Sequence, residues 1–225
     1  MKLARIALGA ALALVAASPL MAQEKDPTTK VAGAGLPAGW MVRFDPARAG
    51  RPASTVAEVN FRVMAPGWHH NSGPAGIYYR EADATKGTYT VSATFAQMKS
   101  MQHEAYGIFI GGSELQGDKQ NYLYFLVKPV DGTFLINHRS SDAKPVAVVP
   151  YTASDAINKD APADGAAKNK LSITVGKDDV TFLMNDKVVK TLKKTELDGA
   201  STDGLVGLRL NHNLDLHIVE FGVKK

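Results

Sequence analysis

The octet Thr88-Tyr89-Thr90-Val91-Ser92-Ala93-Thr94-Phe95 decides the fold. Tyr89, Val91, Ala93 and Phe95 alternate with Thr88, Thr90, Ser92 and Thr94. A period of two gives an extended chain one apolar and one hydroxylated face, which is the signature of a half-buried strand. Comparable short runs cover Ala57–Met64, Ala75–Arg80, Ala105–Ile110, Asn121–Lys128, Thr133–Arg139, Leu171–Val175, Val180–Met184, Leu205–Leu210 and Leu214–Val223. No stretch sustains a 3.6-residue pattern, and the best helical candidate is a short turn near Ser154–Asn158. Short strands separated by turn signals predict an all-β, two-sheet antiparallel sandwich.

Two hairpins extend this reading. Asn185-Asp186 separates Val180–Met184 from Lys187–Leu192, and Asp131-Gly132 separates Asn121–Lys128 from Thr133–Arg139. If Asp131-Gly132 is a two-residue loop, Tyr124 pairs with Arg139 and Leu126 with Asn137. If Pro129 lengthens the loop to four residues, Tyr124 pairs with Asn137 and Tyr122 with Arg139. Either register keeps the same residues on each face. Leu123, Phe125, Val127, Phe134, Ile136 and His138 are expected toward the core, and Tyr122, Tyr124, Asn137 and Arg139 on the opposite face.

Several segments carry a family resemblance. Asn169-Lys170-Leu171-Ser172-Ile173-Thr174-Val175, then Asp179-Val180-Thr181-Phe182-Leu183-Met184-Asn185-Asp186, then Gly204-Leu205-Val206-Gly207-Leu208-Arg209 and the closing Leu216–Phe221 resemble the C-terminal half of concanavalin A-like lectin/glucanase jelly rolls. Gly73–Tyr79, Tyr106–Gly112 and Tyr122–Lys128 look like exported bacterial members akin to laminin-G-like and 3-keto-disaccharide hydrolase-like domains. The resemblance spans residues 40 to 225 and implies a concanavalin A-like jelly roll. It leaves function open, because folds of this kind host lectins, glycosidases and structural modules.

Composition narrows the setting. The chain has 225 residues, 45% hydrophobic and 21% charged, an ordinary globular balance. It contains no cysteine, which excludes a disulfide framework, a thiolate metal site and a cysteine nucleophile. Lys2 and Arg5 precede an apolar run, Ile6–Ala17, that is too short to span a bilayer and is followed by Ser18-Pro19-Leu20-Met21-Ala22 before polar Gln23. Residues 1–22 therefore read as a signal peptide, 23–37 as a polar flexible leader and 38–225 as the sandwich. The expected destination is outside the cytoplasm, periplasmic or secreted, with no stable membrane insertion after cleavage. Removing Lys2 and Arg5 leaves 24 basic against 22 acidic residues, so the formal charge of +4 falls to +2. The remaining basic residues are scattered, which argues against a nucleic-acid partner.

The glucanase branch of the resembled superfamily uses Glu-x-Asp-x-x-Glu, with two carboxylates flanking the scissile bond. The nearest string here, Glu196-Leu197-Asp198-Gly199-Ala200-Ser201, has serine in the last place. None of the six histidines, His69, His70, His103, His138, His212 and His217, shows metal-ligand spacing, so no cofactor or metal is expected. No GxSxG, P-loop, GxGxxG or EF-hand loop occurs.

A sugar needs aromatic or apolar surface against its C–H face and oriented polar groups for its hydroxyls. Tyr122, Tyr124, Asn137 and Arg139 have that mixture, and Arg209 with Asn211 repeats it. Trp68, His69, His70, Tyr78, His103, Glu104 and His212 are candidates for the rim. The leading expectation is a non-catalytic, lectin-like domain with a carbohydrate or polyol ligand on its concave sheet face. The alternatives are a glycoside-directed hydrolase using His103 and Glu104, or a histidine group around His69, His70 and His212, and a structural module with a protein partner in the cell envelope.

Overall fold

The computed structural model describes residues 35–47, 49–71, 73–98, 104–159 and 167–225. The expected signal peptide (1–22), residues 23–34 of the expected leader and His103 lie outside the described residues. The described chain forms fourteen strands: β1 Met41–Phe44, β2 Phe61–Val63, β3 Trp68–Asn71, β4 Gly76–Tyr79, β5 Tyr89–Gln97, β6 Tyr106–Ser113, β7 Asn121–Lys128, β8 Thr133–Arg139, β9 Val146–Ala153, β10 Ala167–Val175, β11 Asp179–Met184, β12 Lys187–Lys193, β13 Leu205–Leu210 and β14 Asp215–Lys224. They make two seven-stranded antiparallel sheets, ordered β1-β4-β13-β6-β7-β8-β9 and β12-β11-β10-β5-β14-β3-β2. The architecture is the two-sheet antiparallel sandwich expected from the period of two, and the jelly roll that the family resemblance implies.

The core fills the space between the sheets. From the first sheet come Tyr106, Ile108, Ile110, Leu123, Phe125, Val127, Phe134 and Ile136, and from the second Val91, Phe95, Leu171, Ile173, Val180, Phe182 and Ile218. Phe125 meets Phe182 edge-on at 5.5 Å, and Phe95 meets Tyr106 at 5.0 Å, so aromatic pairs join the layers. Each such side chain contributes about 1.5–3 kcal/mol on burial. On β5, Thr90 and Thr94 face outward and bond Thr174 (3.0 Å) and Glu220 (2.8 Å), which is the hydroxylated face of the octet.

Both hairpins form. Met184 pairs with Lys187, leaving Asn185 and Asp186 as a two-residue loop with positive φ of 50° and 63°, the twist that suits antiparallel strands. Lys128 pairs with Thr133, so Pro129–Gly132 is the four-residue loop, and Tyr124 lies opposite Asn137 and Tyr122 opposite Arg139. Gly207 of β13 leaves room for its neighbours within the first sheet: a Cβ there would meet the Tyr78 carbonyl oxygen of β4 and the Phe109 ring of β6.

The strand reading needs three adjustments. Ala57–Met64 divides into a 3-10 turn, Val56–Glu58, and β2, because the Glu58 carboxylate turns back to accept the Thr55 N–H at 2.8 Å. Trp68, His69 and His70, which fall in none of the runs read as strands, lie in β3, paired with β2 and β14. Ser154–Asn158 is the short turn expected there, closed by Ile157 N–H to Ser154 O at 3.3 Å. β1 and β9 show too little periodicity to be read. β1 has four residues, and β9 is a largely exposed edge strand that tolerates Pro150 because one side has no ladder to complete.

His70 is wholly buried between the sheets, with Nε2 3.2 Å from the Tyr78 hydroxyl. Burial, reinforced by neighbouring His69, lowers its pKa to about 4 from 6.5. The unfolded chain therefore binds this proton near pH 6.5 and the folded chain only near pH 4, so stability falls as pH drops through that window. The loss is about 3 kcal/mol once the pH is below both values. Urea unfolding at pH 7, 5.5 and 4 is expected to show this decline, and His70→Gln is expected to flatten it.

Candidate functional site

Strand parity places the site. On β13, Val206, Leu208 and Leu210 enter the core, which turns Arg209 outward. The same alternation turns Tyr122, Tyr124 and Leu126 of β7, and Leu135, Asn137 and Arg139 of β8, to the outward face of the first sheet. This face is not a bare solvated surface. Ile77, Tyr79, Phe109, Leu115, Tyr122, Tyr124, Leu126 and Leu135 form a second apolar cluster there, separate from the main core.

Beside that cluster opens a cleft of about 1130 Å³. Tyr124, Leu126, Leu135, Asn137, Arg139 and Arg209 line it from the sheet. Asp45, Arg51, Pro52, Lys144, Pro145 and Tyr151 line it from flanking loops and β9, and Glu104, Asn211 and His212 line it from the ends of β6 and β13. Asp45 is held there by its own N–H, which donates to Ala75 O at 2.9 Å beside the β1–β4 pairing.

Two nearly buried guanidiniums dominate the electrostatics. Arg209 donates from Nη2 to Asp45 Oδ2 (2.6 Å) and from Nη1 to Leu210 O (3.1 Å), and its guanidinium carbon stands 5.7 Å from the Tyr124 ring centre. Arg139 donates from Nη1 to Ala143 O (3.0 Å), and its Nη2 is 3.7 Å from Asp45 Oδ1. Burial works against the Arg209 charge, but Asp45 and the Tyr122 and Tyr124 hydroxyls outweigh it and hold the pKa above the usual arginine value. Burial pushes the Tyr122 hydroxyl up to about 12, against the pull of Arg209 and Arg139. Asn137 Nδ2 donates to the Tyr124 hydroxyl at 3.0 Å. Asp142 binds Arg43 at 2.8 Å and also accepts from Gln120.

The structure gathers seven of the residues singled out in the sequence: Glu104, Tyr124, Asn137, Arg139, Arg209, Asn211 and His212. Others lie elsewhere. Tyr122 shares the face but is 1% exposed, packed under Phe109 (5.3 Å) and Tyr124 (5.7 Å). Tyr78 points the opposite way from its neighbours Ile77 and Tyr79, into the core against Phe61 and His70. Trp68 and His70 belong to the inward side of the second sheet, where Trp68 meets Trp40 at 5.3 Å and the Arg80 guanidinium at 5.5 Å. His69 is on that sheet's outward side, its Nε2 3.1 Å from Asp215 Oδ1. An outward face of the second sheet cannot border a cleft on the outward face of the first, so His69, His70 and His212 form no common group. Among the described residues no three His, Asp or Glu side chains gather to hold a metal ion.

The glucanase-like string is structural. Glu196 accepts the Lys193 N–H at 2.6 Å, and Asp198 lies 3.1 Å from Nδ1 of buried His138. Sequence reasoning overlooked Asp45, Arg51, Lys144 and Tyr151. Asp45, Arg51 and Lys144 lie in loops without periodicity, and Tyr151 sits in the unread edge strand, where it is 53% exposed.

No family model matches the chain, and no curated protein matches it in sequence. Solved structures do match. A carbohydrate-binding module, CBM66, from Bacillus subtilis aligns at a TM-score of 0.59 and 11% identity, over 83% of this chain and 96% of that one. The two chains share the two-sheet β-sandwich fold. A Bacillus subtilis protein of unknown function with a galectin-like fold aligns at a TM-score of 0.53 and 12% identity, over 82% and 88% of the two chains.

Asp45 is the counter-charge of the cleft floor. Asp45→Asn keeps the shape and leaves two buried guanidiniums without it, so a loss of about 3 kcal/mol is expected in chemical denaturation. Lys144→Gln, on the exposed rim, is expected to leave the midpoint within about 0.5 kcal/mol of the parent.

Proposed function

We propose that the cleft binds carbohydrate and that the chain is an exported, non-catalytic, lectin-like domain. The observation that carries the reading is the exposed ring of Tyr151 on the same cleft as Asn137, Asn211, His212 and Glu104. A pyranose stacks its C–H face on such a ring while amide, imidazole and carboxylate groups meet its hydroxyls. Tyr124 does not supply the platform. It is 4% exposed and its hydroxyl is already taken by Asn137, so its role is to shape the floor and hold that amide. The likeness to a carbohydrate-binding module supports the same reading at the level of fold.

Glycan-array screening followed by calorimetry tests it. Tyr151→Ala is expected to weaken the best saccharide at least tenfold without shifting the melting temperature, since the ring is half exposed on an edge strand. Absence of binding to every glycan would overturn the reading.

Export is part of the same proposal and rests on residues 1–22, with cleavage after Ala22. Mass spectrometry of the protein from the envelope or medium is expected to find a chain beginning at Gln23. A full-length cytoplasmic chain would contradict it.

A further inference from the structure

The floor of the cleft holds more positive charge than its own carboxylates balance. The Arg139 and Arg209 side chains are 7% and 5% exposed, and they share one carboxylate, Asp45, at 3.7 and 2.6 Å. The other two carboxylates on the cleft stand against other side chains: Asp142 takes Arg43 at 2.8 Å, and Glu104 Oε1 is 3.7 Å from His212 Nε2. One nearly buried guanidinium charge is therefore left over. Such a charge is costly to keep from water unless an anion reaches it. The Nε–H groups of both arginines are also buried without a hydrogen-bond partner, although such groups are normally satisfied. Arg51 and Lys144 add two exposed cations to the same cleft.

A sugar bearing only hydroxyls would leave the charge uncompensated. A carboxylate compensates it, because its two oxygens match the guanidinium fork and carry the missing charge. We infer that the cleft selects an acidic saccharide, a uronate-type sugar whose carboxylate reaches Arg139 and Arg209 while Asn137 and Asn211 meet its hydroxyls. This deepens the carbohydrate-binding reading and rests on it.

Calorimetric titration of the mature protein with oligogalacturonate and oligoglucuronate, each against its neutral galactose or glucose counterpart, is the direct test. The uronates are expected to bind at least tenfold tighter at low salt, with that advantage shrinking several-fold at about 0.5 M salt as screening increases. Arg139→Gln is expected to abolish the preference. Should that variant fold poorly, the rim double variant Arg51→Gln/Lys144→Gln carries the test, with uronate affinity falling several-fold and neutral affinity unchanged. Equal or tighter binding of the neutral sugars would overturn the inference and leave the carbohydrate-binding reading standing. Failure of both saccharide classes, with no hit on the glycan array, would overturn both.

Discussion

Burial of Leu123, Phe125, Val127, Phe134 and Ile136 between two sheets is the constraint on which the rest of the molecule depends. A strand has only two sides, so committing these residues inward commits Tyr124, Asn137 and Arg139 outward. A slip of one residue between β7 and β8 would bury Arg139 in the main core and expose Ile136, so the register is strongly specified. The four-residue loop at Pro129–Gly132 closes the pair in the register that sets Tyr124 beside Asn137, and their hydrogen bond follows from that alignment.

The first sheet differs from an ordinary sandwich layer in what covers its outward face. Leu115, Tyr79 and the β7 and β8 side chains make a second apolar cluster there, and Gln116 ties its loop down by donating to the Tyr79 hydroxyl at 2.6 Å. Covering this surface takes Arg139 and Arg209 nearly out of water, which turns two ordinary surface arginines into a concentrated charge. Asp45 stabilises that arrangement only in part, since one carboxylate faces two guanidiniums. The polarity of the cleft is thus a consequence of packing on the far side of the same strands that form the core.

Much of this was legible in the residues. Asn121–Lys128, Thr133–Arg139 and Leu205–Leu210 stand in the structure with the boundaries that alternation implies, because each has one side facing a core. The histidine and tryptophan assignments failed for the same physical reason in reverse. Trp68-His69-His70 has no alternation visible in isolation, and it becomes a strand only by pairing with β14, where Leu216 and Ile218 draw His70 and Trp68 inward. Tyr78 lay in a correctly read strand, but the run Ile77-Tyr78-Tyr79 is apolar on both sides, so its parity was hidden until both faces proved to be covered.

By itself the sequence determined the all-β class, the two hairpins and the core-facing side of the regularly alternating strands, since those follow from a two-residue period and local turn chemistry. Which strands share a sheet, and hence which outward residues share a cleft, was decided by tertiary structure alone. Asp45, Asn137 and Arg209 are brought together by pairings that span most of the chain, and no local pattern records a partner 164 residues away. The excess of positive charge on the cleft floor belongs to the same class of fact. It arises from how many carboxylates reach two arginines in space, and the composition of 26 basic against 22 acidic residues carries no trace of it.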